Sequence, residues 1–123
     1  MGPEAKLYKK LKAKTPRIIW NRIENLSILG MPDLLGYNSS GYFFTVELKI
    51  TRDNKLKFSP HQIAWHVAHP RNTFILAEAL GPRLVKLFPG SRIRELAACG
   101  FEFTEACSLG LEACASYFES LGA

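Results

Sequence analysis

The sequence predicts an α/β domain in which a mixed β-sheet of about four strands is flanked by helices. The chain has 123 residues, of which 47% are hydrophobic and 22% charged, as expected of one folded domain. Two strand-like runs precede a strongly capped helix and two more follow it, while helical runs stand at both ends. This order favours a single sheet with helices packed on it.

The amino-terminal residues 1–24 are predicted to form basic helices. Residues 5–14 carry an apolar stripe at helical spacing, and lysines occupy the remaining surface. Thr15 is a suitable N-cap and Pro16 a suitable first-turn residue. A second helix is therefore predicted from residue 17 to about residue 24.

A β-hairpin is predicted next, with strands at residues 34–37 and 42–50 around the turn-forming sequence Asn-Ser-Ser-Gly at 38–41. With a four-residue loop, Asp33 lies diagonal to Glu47, whereas a loop one residue shorter puts Asp33 directly opposite Glu47. Either register brings the two carboxylates together.

Side chains along a strand alternate between the two faces of the sheet. One face of the second strand is uniformly apolar and should enter the core; its residues are Phe44, Val46, Leu48 and Ile50. Glu47 and Lys49 project side by side from the other face, to which the neighbouring Asp33 can contribute.

A strong helix start follows a basic connection at 51–57. Ser59 is the N-cap, Pro60 the first helical residue and Gln62 the third, and the helix runs to His69. Strands at 73–79 and 83–88 and two carboxy-terminal helices complete the prediction. The predicted organisation is a single domain, 1–123, with a basic helical amino terminus at 1–24, a core at 25–88 and carboxy-terminal helices at 89–123.

The net charge of +5 is unevenly distributed. Residues 1–22 contain seven Lys or Arg and one Glu, whereas residues 95–123 contain five Glu and neither Lys nor Arg. A basic amino terminus suits a polyanionic partner, although a solvated lysine-rich helix explains the charge equally well. No apolar run is long enough to span a bilayer and no signal peptide is present, so we expect a cytoplasmic protein without membrane association.

Two carboxylates and a lysine on one hairpin face are the groups that metal-assisted phosphodiester hydrolysis requires. Mg²⁺ prefers oxygen ligands, accepts one or two carboxylates and retains several waters. Asp33 and Glu47 are the candidate ligands, and Lys49 is placed to act on the attacking water or the phosphate.

These residues also resemble a known family. Pro32-Asp33 followed by Glu47-Leu48-Lys49 resembles the PD-(D/E)XK nuclease pattern. Gly30-Met31-Pro32-Asp33 with Ser59-Pro60-His61-Gln62 is similar to the small phage and bacterial VRR-NUC type. The resemblance covers roughly residues 17–88 and implies a restriction-endonuclease-like sheet with the motif on its central hairpin.

The resemblance implies a role for each motif residue. Asp33 and Glu47 bind Mg²⁺ or Mn²⁺, the Leu48 carbonyl joins them, Lys49 is the catalytic lysine and Gln62 contacts the site or the nucleic acid. The family also tends to place an acidic residue on a preceding helix, for which Glu24 is the first candidate and Glu4 the weaker one.

The function that we expect is a metal-dependent DNA endonuclease, selective for branched or junction DNA as related Holliday-junction resolvases are, and working as a homodimer through its carboxy-terminal helices. The alternatives are a single-strand or flap nuclease, an exonuclease, a noncatalytic nucleic-acid-binding module, or a small interaction protein whose acidic carboxy-terminal helix docks a partner. The residues expected to contact DNA are basic, namely Arg52, Lys55, Lys57, Arg71, Lys9 and Lys10, and they bind phosphates without reading sequence.

Structural explanations compete with these roles. Asp33 could be a turn residue after Pro32. Glu47 and Lys49 could form an exposed ion pair of little energetic value. Gln62 could be explained fully by a capping box with Ser59.

Overall fold

A computed structural model describes residues 1–23 and 28–123. It contains a six-stranded mixed sheet with four α-helices, so the predicted α/β class is confirmed although the strand count is higher than predicted. The elements in chain order are α1 (Pro3–Lys14), β1 (Ile19–Arg22), β2 (Leu34–Tyr37), β3 (Phe43–Thr51), α2 (Pro60–Ala68), β4 (Thr73–Ala79), β5 (Leu84–Pro89), α3 (Ile93–Cys99), β6 (Ser108–Leu109) and α4 (Leu111–Ser120).

The strands lie in the sheet in their chain order, from β1 to β6. All neighbours are antiparallel except β3 and β4, which are parallel and are connected through α2. A parallel pair needs such a crossover, because the chain must return to the starting end of the sheet.

The sheet is covered on both faces. Leu7 and Leu11 of α1 and Phe118 of α4 are fully buried on one face, where they join the predicted apolar residues of β3. Ile93 and Leu96 of α3 are buried on the other face, with Ile63 of α2 packed beside them. Glu47 and Lys49 therefore project toward the α2 side of the sheet.

The second predicted helix, at 17–24, is wrong, because residues 19–22 form strand β1. Ile19 pairs with Tyr37 and Arg22 with Leu34, so pairing with β2 outweighs the helical spacing of the isoleucines. Strand β6 was not predicted, since two residues carry no periodic signal.

Two further findings bear on the predicted environment of the protein. Within residues 1–23 and 28–123, no helix is long and apolar enough to cross a membrane. Cys114, Ala115 and Phe118 of α4 are buried in the core of the chain itself, where the ring of Phe118 stacks on that of Phe44 at 4.9 Å.

Candidate active site

The hairpin register places Asp33 and Glu47 together. Leu34 pairs with Val46, so the next residues along the two strands, Asp33 and Glu47, are directly opposite. The register with a four-residue loop is wrong. The Asn38 N–H donates to the Tyr42 carbonyl at 3.2 Å, which leaves three residues in the loop.

Glu47 is buried, with 3% of its surface exposed, so it is not part of an exposed ion pair. Burial, followed by the charge of Asp33 and the interaction of the two carboxyl groups, raises its pKa to about 9. Its Oε1 atom has no hydrogen-bond partner among the residues that the structure describes. A pKa of about 9 means that Glu47 holds a proton at neutral pH.

Pro32 shapes the end of the β2–β3 ladder. Asp33 Oδ2 accepts a hydrogen bond from the Leu48 N–H at 2.8 Å, so the aspartate side chain is anchored to the backbone of β3. By the observed register Leu48 stands opposite Pro32, which has no N–H to donate to the Leu48 carbonyl. Because the N–H and C=O of a strand residue point to the same side, that carbonyl is directed toward the side of Asp33.

Gln62 belongs both to a helix cap and to the site. The Ser59 N–H donates to Gln62 Oε1 at 3.0 Å and the Gln62 N–H donates to Ser59 Oγ at 3.1 Å, which is the predicted capping box. Gln62 Nε2 also donates to Glu47 Oε2 at 3.2 Å. Lys49 Nζ donates to Gln62 Oε1 at 3.1 Å. The side-chain amide of Gln62 therefore contacts the helix cap and also both Glu47 and Lys49.

Lys49 is held from a second direction. Its ammonium group lies 5.0 Å from the centre of the Phe58 ring, a cation–π contact. Its charge acts to lower the pKa of Glu47, although this effect is smaller than those of burial and Asp33. Phe58 was not predicted as a site residue, because a single aromatic before a helix is more often part of the core.

Gly30 lets the segment before Asp33 approach α2. Its φ is +84°, in the left-handed region that favours glycine, and a Cβ here would collide with the His61 carbonyl oxygen. This contact lies one residue before Gln62. The close approach of the two segments thus holds Asp33 and Gln62 around the same carboxylate.

Glu4, the weaker candidate for the additional acidic ligand, is brought to the site by α1. It is exposed, yet partial burial of its carboxylate raises its pKa, and the charge of Asp33 raises it further. Lys49 and Arg22 act in the opposite direction. The first candidate, Glu24, lies outside the described residues.

The basic residues predicted to contact DNA divide into two groups. Arg52, Lys55 and Lys57 line a cavity of about 490 Å³ together with Glu4 and Lys49. The others are not at this site. Arg71 precedes β4 at the opposite end of the parallel pair, Lys9 does not line this cavity, and Lys10 pairs with Glu78 at 2.8 Å.

The donor set fits a hard divalent cation with few protein ligands. No group of three or more His, Cys, Asp or Glu side chains in residues 1–23 and 28–123 is arranged to hold a metal ion. Asp33, Glu47 and the Leu48 carbonyl supply three oxygens, and Mg²⁺ is commonly bound through one or two carboxylates with waters completing its shell. The buried Oε1 atom of Glu47 lacks the electropositive partner that such a cation would provide.

Comparisons with known proteins do not assign the chain to a family. No protein-family model matches the sequence, and no curated protein shows significant similarity to it.

Proposed function

We propose that the protein is a Mg²⁺- or Mn²⁺-dependent nuclease that hydrolyses DNA phosphodiester bonds. The observation that carries this proposal is the opposed pair of Asp33 and Glu47, with Lys49 and Gln62 bonded around it. Burial of a carboxyl group costs stability, and groups with strongly shifted pKa values such as Glu47 are typical of functional sites. The resemblance to the PD-(D/E)XK nuclease pattern is carried by the same residues, Asp33, Glu47 and Lys49, and agrees with this proposal.

The roles of the side chains follow from their contacts. Asp33, Glu47 and the Leu48 carbonyl would hold the cation, which would neutralise phosphate charge and assist ionisation of water. Lys49 supplies a fixed positive charge beside the carboxylates, where it can orient the attacking water or stabilise charge on the phosphate. Gln62 fixes the positions of Glu47 and Lys49 at once.

The proposed substrate is branched or junction DNA, and the proposed working form is a cytoplasmic homodimer. Arg52, Lys55 and Lys57 beside the site are suited to phosphates rather than to base edges, so structure-selective binding is favoured over sequence recognition.

A homodimer that uses the apolar face of α4 is disfavoured, since Cys114, Ala115 and Phe118 are buried within the chain.

A cleavage assay on end-labelled single-stranded, duplex, flap, four-way-junction and RNA substrates tests the proposal. We expect cleavage with Mg²⁺ or Mn²⁺, none with EDTA, and a loss of about 100-fold or more in Lys49→Met, in line with the removal of one group that stabilises transition-state charge. Asp33→Asn and Glu47→Gln should be equally impaired.

Matched controls separate loss of the site from general loss of charge. Glu102→Gln removes an exposed carboxylate and Arg94→Met removes an exposed cation, and neither residue lines the site. Both should cleave like the unmodified protein. DNA binding without cleavage in any metal would instead identify a noncatalytic binding module, and cleavage that persists in EDTA would contradict the metal mechanism. The products from each substrate distinguish an endonuclease from a flap nuclease or an exonuclease.

A further inference from the structure

A second cavity, of about 580 Å³, lies beside the candidate active site. Four basic side chains line it, from Lys6, Lys10, Arg52 and Arg83. Arg52 also lines the cavity that contains Lys49 and Glu4, so the two cavities adjoin at this residue.

The charge of the second cavity is strongly positive. Its single carboxylate, that of Glu78, is buried and accepts a hydrogen bond from Lys10 Nζ at 2.8 Å, so these two charges offset each other. Lys6, Arg52 and Arg83 make no ion pair within the part of the chain that the structure describes. Three uncompensated cations in a concave surface attract an anion more strongly than the same charges on a flat one.

Three separate elements bring these cations together. Lys6 and Lys10 are one helical turn apart on α1 and share a face. Arg52 directly follows β3, whose last residue, Thr51, accepts a backbone hydrogen bond from Leu80 at 2.9 Å. Arg83 stands in the turn between β4 and β5 with φ of +56°, a conformation that is uncommon for residues other than glycine.

The walls of the cavity add apolar surface from Leu84, Val85 and Leu111. A lining of cations and apolar side chains matches a nucleotide, which has a charged phosphate and an apolar base face. A rigid duplex contacts only the rim of a concave cavity, whereas a flexible single strand can enter it. Single-strand binding usually combines a positively charged groove along the backbone with aromatic side chains that stack on bases. The second cavity supplies the positively charged groove, and its apolar lining is aliphatic.

We propose that the second cavity binds the sugar-phosphate backbone of a single-stranded arm of the same DNA molecule, with Arg52 as the contact shared with the cleavage site. The inference rests on the proposed function and specifies its substrate as DNA with an unpaired segment next to the scissile bond. Lys6 and Arg83 are then binding residues that do not contact the reacting phosphate.

Binding in EDTA measures this contribution without cleavage. The probes are fluorescent oligothymidylates of about 4 to about 16 nucleotides, the range of known single-strand site sizes, and a blunt duplex. We expect Lys6→Ala and Arg83→Gly each to weaken single-strand binding several-fold. Each should also reduce the slope of log K against log salt concentration by about 0.7, the value for one lost phosphate contact. Duplex binding should change much less.

The choice of variants excludes backbone strain and general loss of positive charge as explanations for weaker binding. Arg83→Gly removes the cation and also relieves its left-handed backbone, so weaker binding cannot be attributed to strain. Arg94→Ala removes a cation from the exposed surface of α3 and should leave both affinity and salt slope unchanged. Circular dichroism and thermal melting establish that each variant is folded.

The outcomes separate this inference from the proposed function. Unchanged single-strand affinity and salt slope in Lys6→Ala and Arg83→Gly, with cleavage retained, would overturn the role of the second cavity and leave the nuclease intact. An equal loss for single-stranded and duplex probes would overturn the single-strand assignment. Absence of cleavage of every substrate by the unmodified protein would refute the nuclease itself.

Discussion

Glu47 carries a carboxyl group that is buried and also lies against the carboxyl group of Asp33. Each condition alone disfavours ionisation, and together they raise the pKa of Glu47 to about 9. In the unfolded chain this pKa returns to its ordinary value of 4.5. The folded protein therefore binds more protons than the unfolded chain between these two values, and two measurements follow from this difference.

The first measurement concerns metal binding near neutral pH. A cation at Asp33 and Glu47 must displace the proton that the pair shares, so binding should release about one proton. Titration calorimetry with Mn²⁺ should give binding heats that differ between buffers by the difference in their ionisation enthalpies, multiplied by about one proton. The affinity for Mn²⁺ should increase with pH. In Glu47→Gln the buffer dependence should disappear. Identical heats in all buffers for the unmodified protein would contradict a protonated pair.

The second measurement concerns stability without metal. Because the folded-state pKa is raised, the contribution of Glu47 is fully present below about pH 4.5 and is lost as the pH rises toward about 9. Glu47→Gln keeps an acceptor for Gln62 but cannot ionise. Its melting temperature, relative to that of the unmodified protein, should therefore increase steadily over this pH range. A constant difference would show that Glu47 is not the titrating group.

At the scale of the elements, the start of α2 combines structural and chemical roles in Gln62. Ser59→Ala removes half of the capping box and should cost about 1 kcal/mol in the free energy of unfolding. Gln62→Ala removes the other half of the box, the bond from the Ser59 N–H to Gln62 Oε1, and also the contacts with Glu47 and Lys49. We therefore expect a similar loss of stability, with an additional loss of about 10- to 100-fold in activity.

Urea denaturation and cleavage rates, measured on both variants, separate the two roles. Ser59→Ala is the matched control, because it weakens the cap while the Gln62 side chain can still contact the site. If both variants lose activity equally, the glutamine acts only by capping α2.

Elements that depend on local sequence patterns were predicted correctly, whereas features that depend on distant contacts were not. The hairpin, its apolar face and the capped α2 were predictable because alternation and capping are local patterns. The choice of register was not. It depends on Asn38, whose side chain accepts from the Ser40 and Tyr42 N–H groups and donates to the carbonyls of Phe118 and Leu121, about 80 residues away. Strand β1 was missed because its spacing also fits a helix and only pairing with β2 decides between them.

At the scale of the whole molecule, packing of the basic helix α1 against the sheet brings residues of this helix to the candidate site. Helix α1 was predicted with an apolar stripe and with lysines on its remaining surface, and Leu7 and Leu11 of that stripe are completely buried against the sheet. This packing places Glu4 beside Asp33 and Lys49 and places Lys6 in the second cavity. Neither placement could be predicted, because the distance in sequence from α1 to the hairpin gives no indication of contact.

The dependence of the fold on α1 can be measured directly. Leu7→Ala should lower the free energy of unfolding by about 2 to 5 kcal/mol, the usual cost of a cavity left by a buried leucine. Lys9→Ala, on the exposed side of the same helix, should change it by less than about 0.5 kcal/mol. Chemical denaturation measures both. Equal, small effects would mean that α1 is not part of the cooperative core.

The Gln62 amide takes part both in the cap of α2 and in the contacts with Glu47 and Lys49, so heating should disrupt the cap and these contacts together. First turns of helices open more readily than central strands, so the first turn of α2 can separate while the sheet is still folded. That local opening releases Glu47 and Lys49 at the same moment, because one side chain holds the turn and both catalytic groups. Activity should therefore decline reversibly several degrees below the temperature at which the sheet melts, and added divalent metal should narrow the interval.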